Sequence, residues 1–347
     1  MIPPFVRPNI RTMAGYTPGE QPGLAERVVK LNTNENPYPP SPKVMQALAH
    51  IEPDMLRKYP NPTADAFRDA AAQVLGVTRE NIIAGNGSDD ILSIAVRTFL
   101  GPADLLAFPD PTYSLYPVLA DISEVESVGV AWGNALELPV DGLLGTKAQG
   151  IFLANPNAPT GHLTPIAVIR ELAERFAGLV LVDEAYCDFA GETSVGMVKD
   201  HANLVVSRTF SKGYSMAGVR FGYAVAQPEV IEQMMKVKDS YNCDAVAIAV
   251  ATAAILDQDY ARQTWEKVRA ERERMTTELT KLGWSVIPSR ANFILAGVPG
   301  GDGKSAYLKL KERGVLVRFF DKPGLRDKVR ITIGAPQEND MLLMAIR

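Results

Sequence analysis

Four short apolar runs, at residues 151–154, 179–182, 204–207 and 220–226, most restrict what this chain can become. None alternates apolar with polar residues, as a strand with one wet face does. Each therefore suits a strand covered on both sides, as in a mostly parallel sheet sandwiched between helices. Helical patterns at 64–75 and 88–99 and a strand at 105–108 continue the α/β alternation. From about residue 244 to 282 the period is helical, and Asp257-Gln258-Asp259 separates an alanine-rich segment from a charged helix over 260–281. Beyond it, strands at 284–287, 292–296, 315–319 and 329–333 with helices around 305–313 and 338–346 predict a smaller α+β unit. The first 40 residues, rich in Pro, Gly and Asn, read as an extended arm ahead of a helix that begins after Ser41. The expected organisation is a large α/β domain over 41–257 and a smaller one built from 258–347 with the arm, 1–40.

A chain of 347 residues exceeds the size at which single cores stop growing, which agrees with two domains. Net charge −4 and 22% charged residues offer no basic surface for nucleic acid or an anionic membrane. Cys187 and Cys243 and the scattered His50, His162 and His201 lack metal-ligand spacing, so no metal is expected. No apolar stretch is long enough to span a bilayer, and the N-terminal residues lack a signal-peptide pattern; the chain reads as cytoplasmic.

The run Ser207-Arg208-Thr209-Phe210-Ser211-Lys212-Gly213 sets one lysine among small and hydroxylated residues, with Arg220 following. A lysine that forms a Schiff base with a cofactor aldehyde needs a partly desolvated, cation-rich pocket, and arginine and hydroxyls nearby can hold a phosphate. The run reads as a pyridoxal phosphate attachment site, although an exposed lysine and a salt-bridged arginine would give the same letters. Asp183 ends the strand at 179–182, where open α/β sheets present ligand-contacting residues. A carboxylate there can keep a pyridine nitrogen protonated, and Tyr186 can hydrogen-bond the ring's phenolic oxygen. The alternatives for these acids are a capping or interdomain ion pair, or a magnesium-binding aspartate in a nucleotide hydrolase.

That hydrolase reading has one further support, Gly303-Lys304-Ser305 between a strand and a helix, but Val298 stands where a P-loop needs its first glycine. Gly85-Asn86-Gly87-Ser88-Asp89 is a glycine-rich turn running into a helix, a ready anion site for a cofactor phosphate. Tyr113, just after a strand, is placed to lie on a pyridine ring. Arg318 and Arg330 each interrupt an apolar strand. Around Arg330, Val329, Ile331 and Ile333 share one face while Arg330 and Thr332 share the other, so Arg330 faces something polar. Two such arginines suit a substrate with a terminal carboxylate or phosphate.

Taken together, Asn32-Thr33-Asn34-Glu35-Asn36-Pro37, Arg57-Lys58-Tyr59-Pro60, Gly87-Ser88-Asp89, Pro111-Thr112-Tyr113, Asn155-Pro156-Asn157-Ala158-Pro159-Thr160-Gly161, Asp183-Glu184-Ala185-Tyr186, the Lys212 run and Arg330-Ile331-Thr332-Ile333-Gly334 resemble the fold-type I pyridoxal phosphate aminotransferases. Within them the chain resembles the histidinol-phosphate aminotransferases, nearly end to end. The resemblance implies a fold type I transferase that exchanges an amino group between L-glutamate and L-histidinol phosphate. It implies Lys212 as the Schiff-base lysine and proton carrier, Asp183 at the pyridine nitrogen and Tyr186 at the phenolic oxygen. The phosphate would be held by Gly87, Ser88, Asp89, Thr209, Ser211 and Arg220, and by Tyr59 from the neighbouring subunit of a homodimer. Arg318 and Arg330 would grip the substrate's anionic tail, closed over by Tyr16, Asn34 and Asn36. An aromatic aminotransferase or a threonine-phosphate decarboxylase would share much of this pattern. One departure stands out: the family carries a second Asn where this chain has Ala158, so either Asn157 shifts into that role or Tyr186 serves the ring oxygen alone.

Overall fold

The computed structural model describes residues 2–23 and 28–347, so the arm expected over 1–40 is described apart from residue 1 and residues 24–27. Its centre is a seven-stranded sheet in the order Ile82–Gly85, Gly222–Val225, Leu204–Thr209, Leu179–Asp183, Gly150–Ala154, Leu105–Asp110, Glu126–Ala131. From Leu204–Thr209 to Glu126–Ala131 neighbouring strands run parallel; Gly222–Val225 is antiparallel to both of its neighbours. Gly150–Ala154 and Leu179–Asp183 are buried along their whole length, as their unbroken apolar character requires.

The strand expected from residue 220 starts later because Arg220 takes a left-handed conformation, φ 56°, that ends any extended run before it. Two strands lie outside the runs read from the sequence. Glu126–Ala131 lies at the sheet edge with most of its residues exposed, and Ile82–Gly85 is only four residues long.

Helix Asp65–Leu75 packs on this sheet through Phe67, whose ring meets Phe210, Phe221 and Tyr223 at centroid distances of 5.5, 4.6 and 5.4 Å. All four rings are essentially inaccessible to solvent. Burial of each is worth roughly 1.5–3 kcal/mol or more, and the cluster fixes the strands that flank Lys212. Helix Pro42–Ala49 begins as its sequence suggests, with proline in the first turn and the Ser41 hydroxyl accepting from the Lys43 amide at 3.1 Å.

A second sheet of four antiparallel strands has the order Arg318–Phe319, Lys328–Thr332, Phe293–Gly297, Ser285–Val286. The single strand expected over 315–319 divides. Val315–Leu316 pairs in parallel with Val29–Lys30 of the arm, while Arg318–Phe319 joins the four-stranded sheet. The division ties the arm to this unit and sets Arg318 directly across from Arg330. Helix Gln258–Lys281 runs along it and buries Trp265, Val268, Met275 and Leu279. Among the described residues no helix is long and apolar enough to cross a membrane, and no His/Cys/Asp/Glu cluster could hold a metal ion.

Candidate active site

A cavity of about 860 Å³ lies at the carboxyl ends of the central strands. Asp183 and Thr209, each the last residue of its strand, open onto it, together with Ser88 and Tyr113, which follow two others. Strand ends are where an open α/β sheet leaves main chain and short side chains free to meet a ligand.

Asp183 is 4% exposed and accepts hydrogen bonds from Tyr116 Oη at 3.0 Å, the Ala185 amide at 3.2 Å and Ser207 Oγ at 3.3 Å. Burial pushes its carboxyl up to about 6, against the pull of these donors. Its neighbour Glu184 points away from the cavity. It accepts from the Ser194 amide and from Thr193 Oγ1, and it faces Arg208 at 3.5 Å. The two acids therefore divide into one cavity group and one structural ion pair.

Lys212 also lines the cavity and donates to the Thr33 carbonyl at 2.8 Å. Burial, and then the positive charge of Arg330, draw its ammonium down to about 8. The next residue leaves no room for a side chain, because a Cβ on Gly213 would overlap the Asp188 carboxylate. The Gly213 carbonyl accepts from Trp265 Nε1 at 2.8 Å and from Asn36 Nδ2 at 3.3 Å. Asn36 thus braces the lysine turn from behind and does not line the cavity.

One end of the cavity is built for an anion. Helix Ser88–Phe99 presents its first turn there, and Ser211 Oγ receives Arg220 at 3.2 Å and Thr209 Oγ1 at 3.1 Å. Arg220 also reaches Asp89 at 3.3 Å, and Asp89 accepts from Tyr113 Oη at 3.2 Å. Gly87, φ +86°, lies beneath the guanidinium: a Cβ there would stand 2.8 Å from Arg220 Nη2. Glycine at that position lets the arginine lie across the turn.

At the opposite wall the Tyr186 hydroxyl accepts from Asn34 Nδ2 at 3.0 Å. Ala158 lines the cavity, whereas Asn157 does not. The Asn157 amide group is consumed by the Pro111 carbonyl at 3.1 Å and Thr160 Oγ1 at 2.9 Å, and its oxygen accepts from Thr112 Oγ1 at 3.1 Å. Asn157 therefore offers no free amide to the cavity, onto which Tyr186 opens.

Arg330 opens onto the cavity and donates to the Asn32 carbonyl at 2.9 Å, while its Nε is buried without a partner among the described residues. Arg318 donates to the Pro18 and Thr17 carbonyls, both at 3.0 Å, and so holds the arm over the cavity mouth. Both guanidinium groups stand over the Phe320 ring, at 5.6 and 5.4 Å. Tyr16 of the arm meets Tyr113 edge-on at 5.9 Å. Tyr59 lies away from the cavity, 80% exposed and stacked on Tyr241 at 4.4 Å.

Sequence reasoning did not single out Tyr116, three residues after Tyr113, which is fully buried and meets the Tyr113 ring edge-on at 5.7 Å. Trp265, Phe320 and Thr33, which touches Lys212 only through its carbonyl, carry no signal of their own. The Gly-Lys-Ser segment opens helix Gly303–Glu312, and the Asp302 carboxylate accepts from the Ser305 amide at 3.0 Å and hydroxyl at 2.6 Å. A carboxylate at that terminus is the reverse of a phosphate cradle.

The donor set fits an aromatic aldehyde phosphate: hydroxyls, helix amides and an arginine at one end, a buried carboxylate beneath, and a lysine of lowered basicity beside it. Residues 26–346 match the family described as aminotransferase class I and II, and the chain belongs to that family. Among its relatives it is 44% identical to histidinol-phosphate aminotransferase 1 of a Nostoc species, over 99% of this chain and 97% of that one. It is likewise 44% identical to histidinol-phosphate aminotransferase of Citrifermentans bemidjiense, with the same coverage. The crystal structure of histidinol-phosphate aminotransferase from Sinorhizobium meliloti in complex with pyridoxal-5'-phosphate superposes with a TM-score of 0.90 at 26% identity, covering 99% of this chain and 96% of that one.

Proposed function

We propose that this chain is a pyridoxal phosphate-dependent transaminase working between L-glutamate/2-oxoglutarate and L-histidinol phosphate/imidazole-acetol phosphate. The observation that carries the reading is that Lys212, Asp183 and the Arg318–Arg330 pair open onto one cavity in a chain 44% identical to histidinol-phosphate aminotransferases over nearly all its length. When bound, pyridoxal phosphate supplies an aldehyde that exchanges for an amine and a protonated ring that draws electrons from the substrate's Cα.

The chain's own residues do the rest. Asp183, buried at the end of its strand, would hold a proton on the ring nitrogen. Ser88, Thr209, Ser211 and Arg220, with the amides of the first helical turn, hold the phosphate. Asp89 keeps Arg220 in place, and Tyr113 forms a wall for the ring. Tyr186 donates to the ring oxygen. Lys212, whose ammonium is drawn down to about 8, is about a tenth neutral at pH 7, far more than an ordinary lysine, and would carry the proton to and from Cα. Glutamate brings two carboxylates, and histidinol phosphate brings a phosphate with no α-carboxylate. Arg330, whose Nε has no partner among the described residues, and Arg318, on the latch of the arm, serve either anion.

The reading includes a homodimer in which the exposed Tyr59 reaches the neighbouring subunit's cofactor, and a cytoplasmic location. It also includes two domains, 41–257 and 1–40 with 258–347. Ser41 and Asp257, at the two ends of the larger one, are hydrogen-bonded to each other, and Lys43 pairs with Asp257 at 3.0 Å. The test is a panel of amino donors added to the purified yellow protein. Glutamate and histidinol phosphate should each bleach the visible band. A response to phenylalanine or threonine phosphate without one to histidinol phosphate would refute the substrate assignment.

A further inference from the structure

The wall beside Tyr186 is poor in donors. Ala154, Ala158 and Ala185 line it, and the Asn157 amide is spent on Pro111 and Thr160. The Tyr186 hydroxyl is the hydrogen-bonding side chain on this wall, and its oxygen already receives Asn34 Nδ2 at 3.0 Å. Asn34 is itself fixed. It is 1% exposed, its φ is 57°, its amide donates to Thr332 Oγ1 at 3.0 Å, and its carbonyl accepts from Asn292 Nδ2 at 2.9 Å. Thr332 Oγ1 in turn donates to Asn34 Oδ1 at 3.1 Å. With that oxygen occupied, the amino side of the amide faces Tyr186.

A phenolic O–H lies near its ring plane, pointing to one side or the other. A donor seated on one side turns the proton to the other. The Tyr186 ring cannot swing to escape this, because Phe293 meets it edge-on at 5.0 Å. Resting on the transaminase reading, we infer that Asn34 is a positioning residue that orients the Tyr186 hydroxyl toward the cofactor's ring oxygen and strengthens it as a donor. The N-terminal segment thereby provides what the apolar wall at Ala158 cannot. Burial raises the Tyr186 phenol above its ordinary range, while the charge of Arg330 and the Asn34 hydrogen bond pull it back, the direction that favours donation.

The readout is the pH midpoint of the visible band of the full-length protein carrying pyridoxal phosphate. Donation from Tyr186 competes with the proton that the Lys212 nitrogen shares with the ring oxygen, so weaker donation raises the midpoint. Asn34→Gly, which tolerates the left-handed backbone, should raise it by about half a pH unit, the size of one modest hydrogen bond. Tyr186→Phe should raise it further, and Asn34→Gly should add nothing in the Tyr186→Phe background. Asn34→Asp keeps the shape but turns the donor into an acceptor, so it should shift the midpoint in the same direction by more than Asn34→Gly. Ala158→Asn, placing an amide on the bare wall, should lower the midpoint of Asn34→Gly. An unmoved midpoint in both Asn34 variants, or an undiminished shift in the Tyr186→Phe background, overturns the inference while leaving the transaminase reading standing. A wild-type protein that gives no visible band overturns both.

Discussion

Lys212 directs its ammonium to the main-chain carbonyl of Thr33, 2.8 Å away and 179 positions earlier in the chain. That carbonyl follows Val29–Lys30, which is zipped to Val315–Leu316 in a two-stranded sheet of its own, so the central lysine is addressed by a segment outside the central sheet. Trp265 and Asn36 fix the carbonyl of the adjoining Gly213 from the same side. The lysine is therefore placed by both halves of the molecule, and its surroundings are as much a product of arm docking as of its own strand.

Replacing Lys212 by methionine should abolish transamination and remove the cofactor's borohydride-fixable attachment, yet stabilise the protein without cofactor. The folded state lowers this ammonium from 10.5 to about 8, so between those values the unfolded chain binds more protons and stability rises with pH. Below pH 8 the whole cost is present. Because some solvent reaches the cavity, the gain at pH 7 is on the order of 1–2 kcal/mol, shrinking as pH approaches 10.5. Urea titrations of both apoproteins at pH 7 and pH 9.5 measure it; a variant no more stable at the lower pH contradicts the account.

Asp183→Asn should show the same opposition between stability and function. Its carboxyl, raised from 3.8 to about 6, holds a proton in the folded state that the unfolded chain has lost, so apoprotein stability falls as pH climbs through that window. Above pH 6 the ionised form carries the penalty, and the amide removes it while keeping an acceptor for Tyr116. A gain of about 1 kcal/mol at pH 7 that disappears near pH 4 is expected, together with a fall in transamination of at least about a hundredfold through loss of the ring-nitrogen partner. Chemical denaturation across pH and single-turnover rates with glutamate test the two halves separately.

Asp183 and Arg330 are legible in the sequence because each is a charged residue at the end or in the middle of an apolar run, where burial needs a reason, and Lys212 because it is set among small and hydroxylated residues with Arg220 following. The parallel sheet is legible for the related reason that strands covered on both faces lose their polar alternation. Asn36 and Asn157 mislead, since a motif shows that a residue is near the site but not which way its amide turns. Asn36 faces the Gly213 carbonyl, and Asn157 faces Pro111 and Thr160. The division of residues 315–319 is hidden because one charged residue within a short apolar run still reads as a single strand, and only the long-range pairing with Val29–Lys30 separates the halves. The Thr33 carbonyl could not be foreseen at all, because main-chain acceptors are the same at every position.

Gly87→Ala tests the anion end. The residue has φ +86°, and the added methyl would stand 2.8 Å from Arg220 Nη2, so either the turn or the guanidinium must move. Pyridoxal phosphate affinity should fall by about tenfold or more, approaching the loss in Arg220→Ala, because both changes act on the same charge-assisted contact. The double variant should be little worse than Arg220→Ala alone. Equilibrium dialysis of the cofactor gives the three affinities, and fully additive losses would show that Gly87 acts independently of the arginine.

Behind the lysine turn, Arg208 is bonded to Asp188 at 2.6 Å and faces Glu184 at 3.5 Å, with both carboxylates almost wholly out of solvent. Burial raises both acids while the Arg208 charge opposes it, and Asp188 is the closer of the two partners. The Asp188 carboxylate also packs against Gly213, so the ion pair is the surface on which the Lys212 turn rests. Asp188→Ala removes the closer partner and opens a gap under that turn; a loss of about 3 kcal/mol is expected from a broken buried pair. Asp188→Asn fills the space and still accepts a hydrogen bond, so it should cost less than half as much. If the turn depends on this support, kcat should fall in Asp188→Ala by more than in Asp188→Asn while cofactor affinity, set at the Arg220 end, changes little. Equal losses of stability in the two variants would mean that the charge alone matters, and an unchanged kcat in both would detach the ion pair from the lysine.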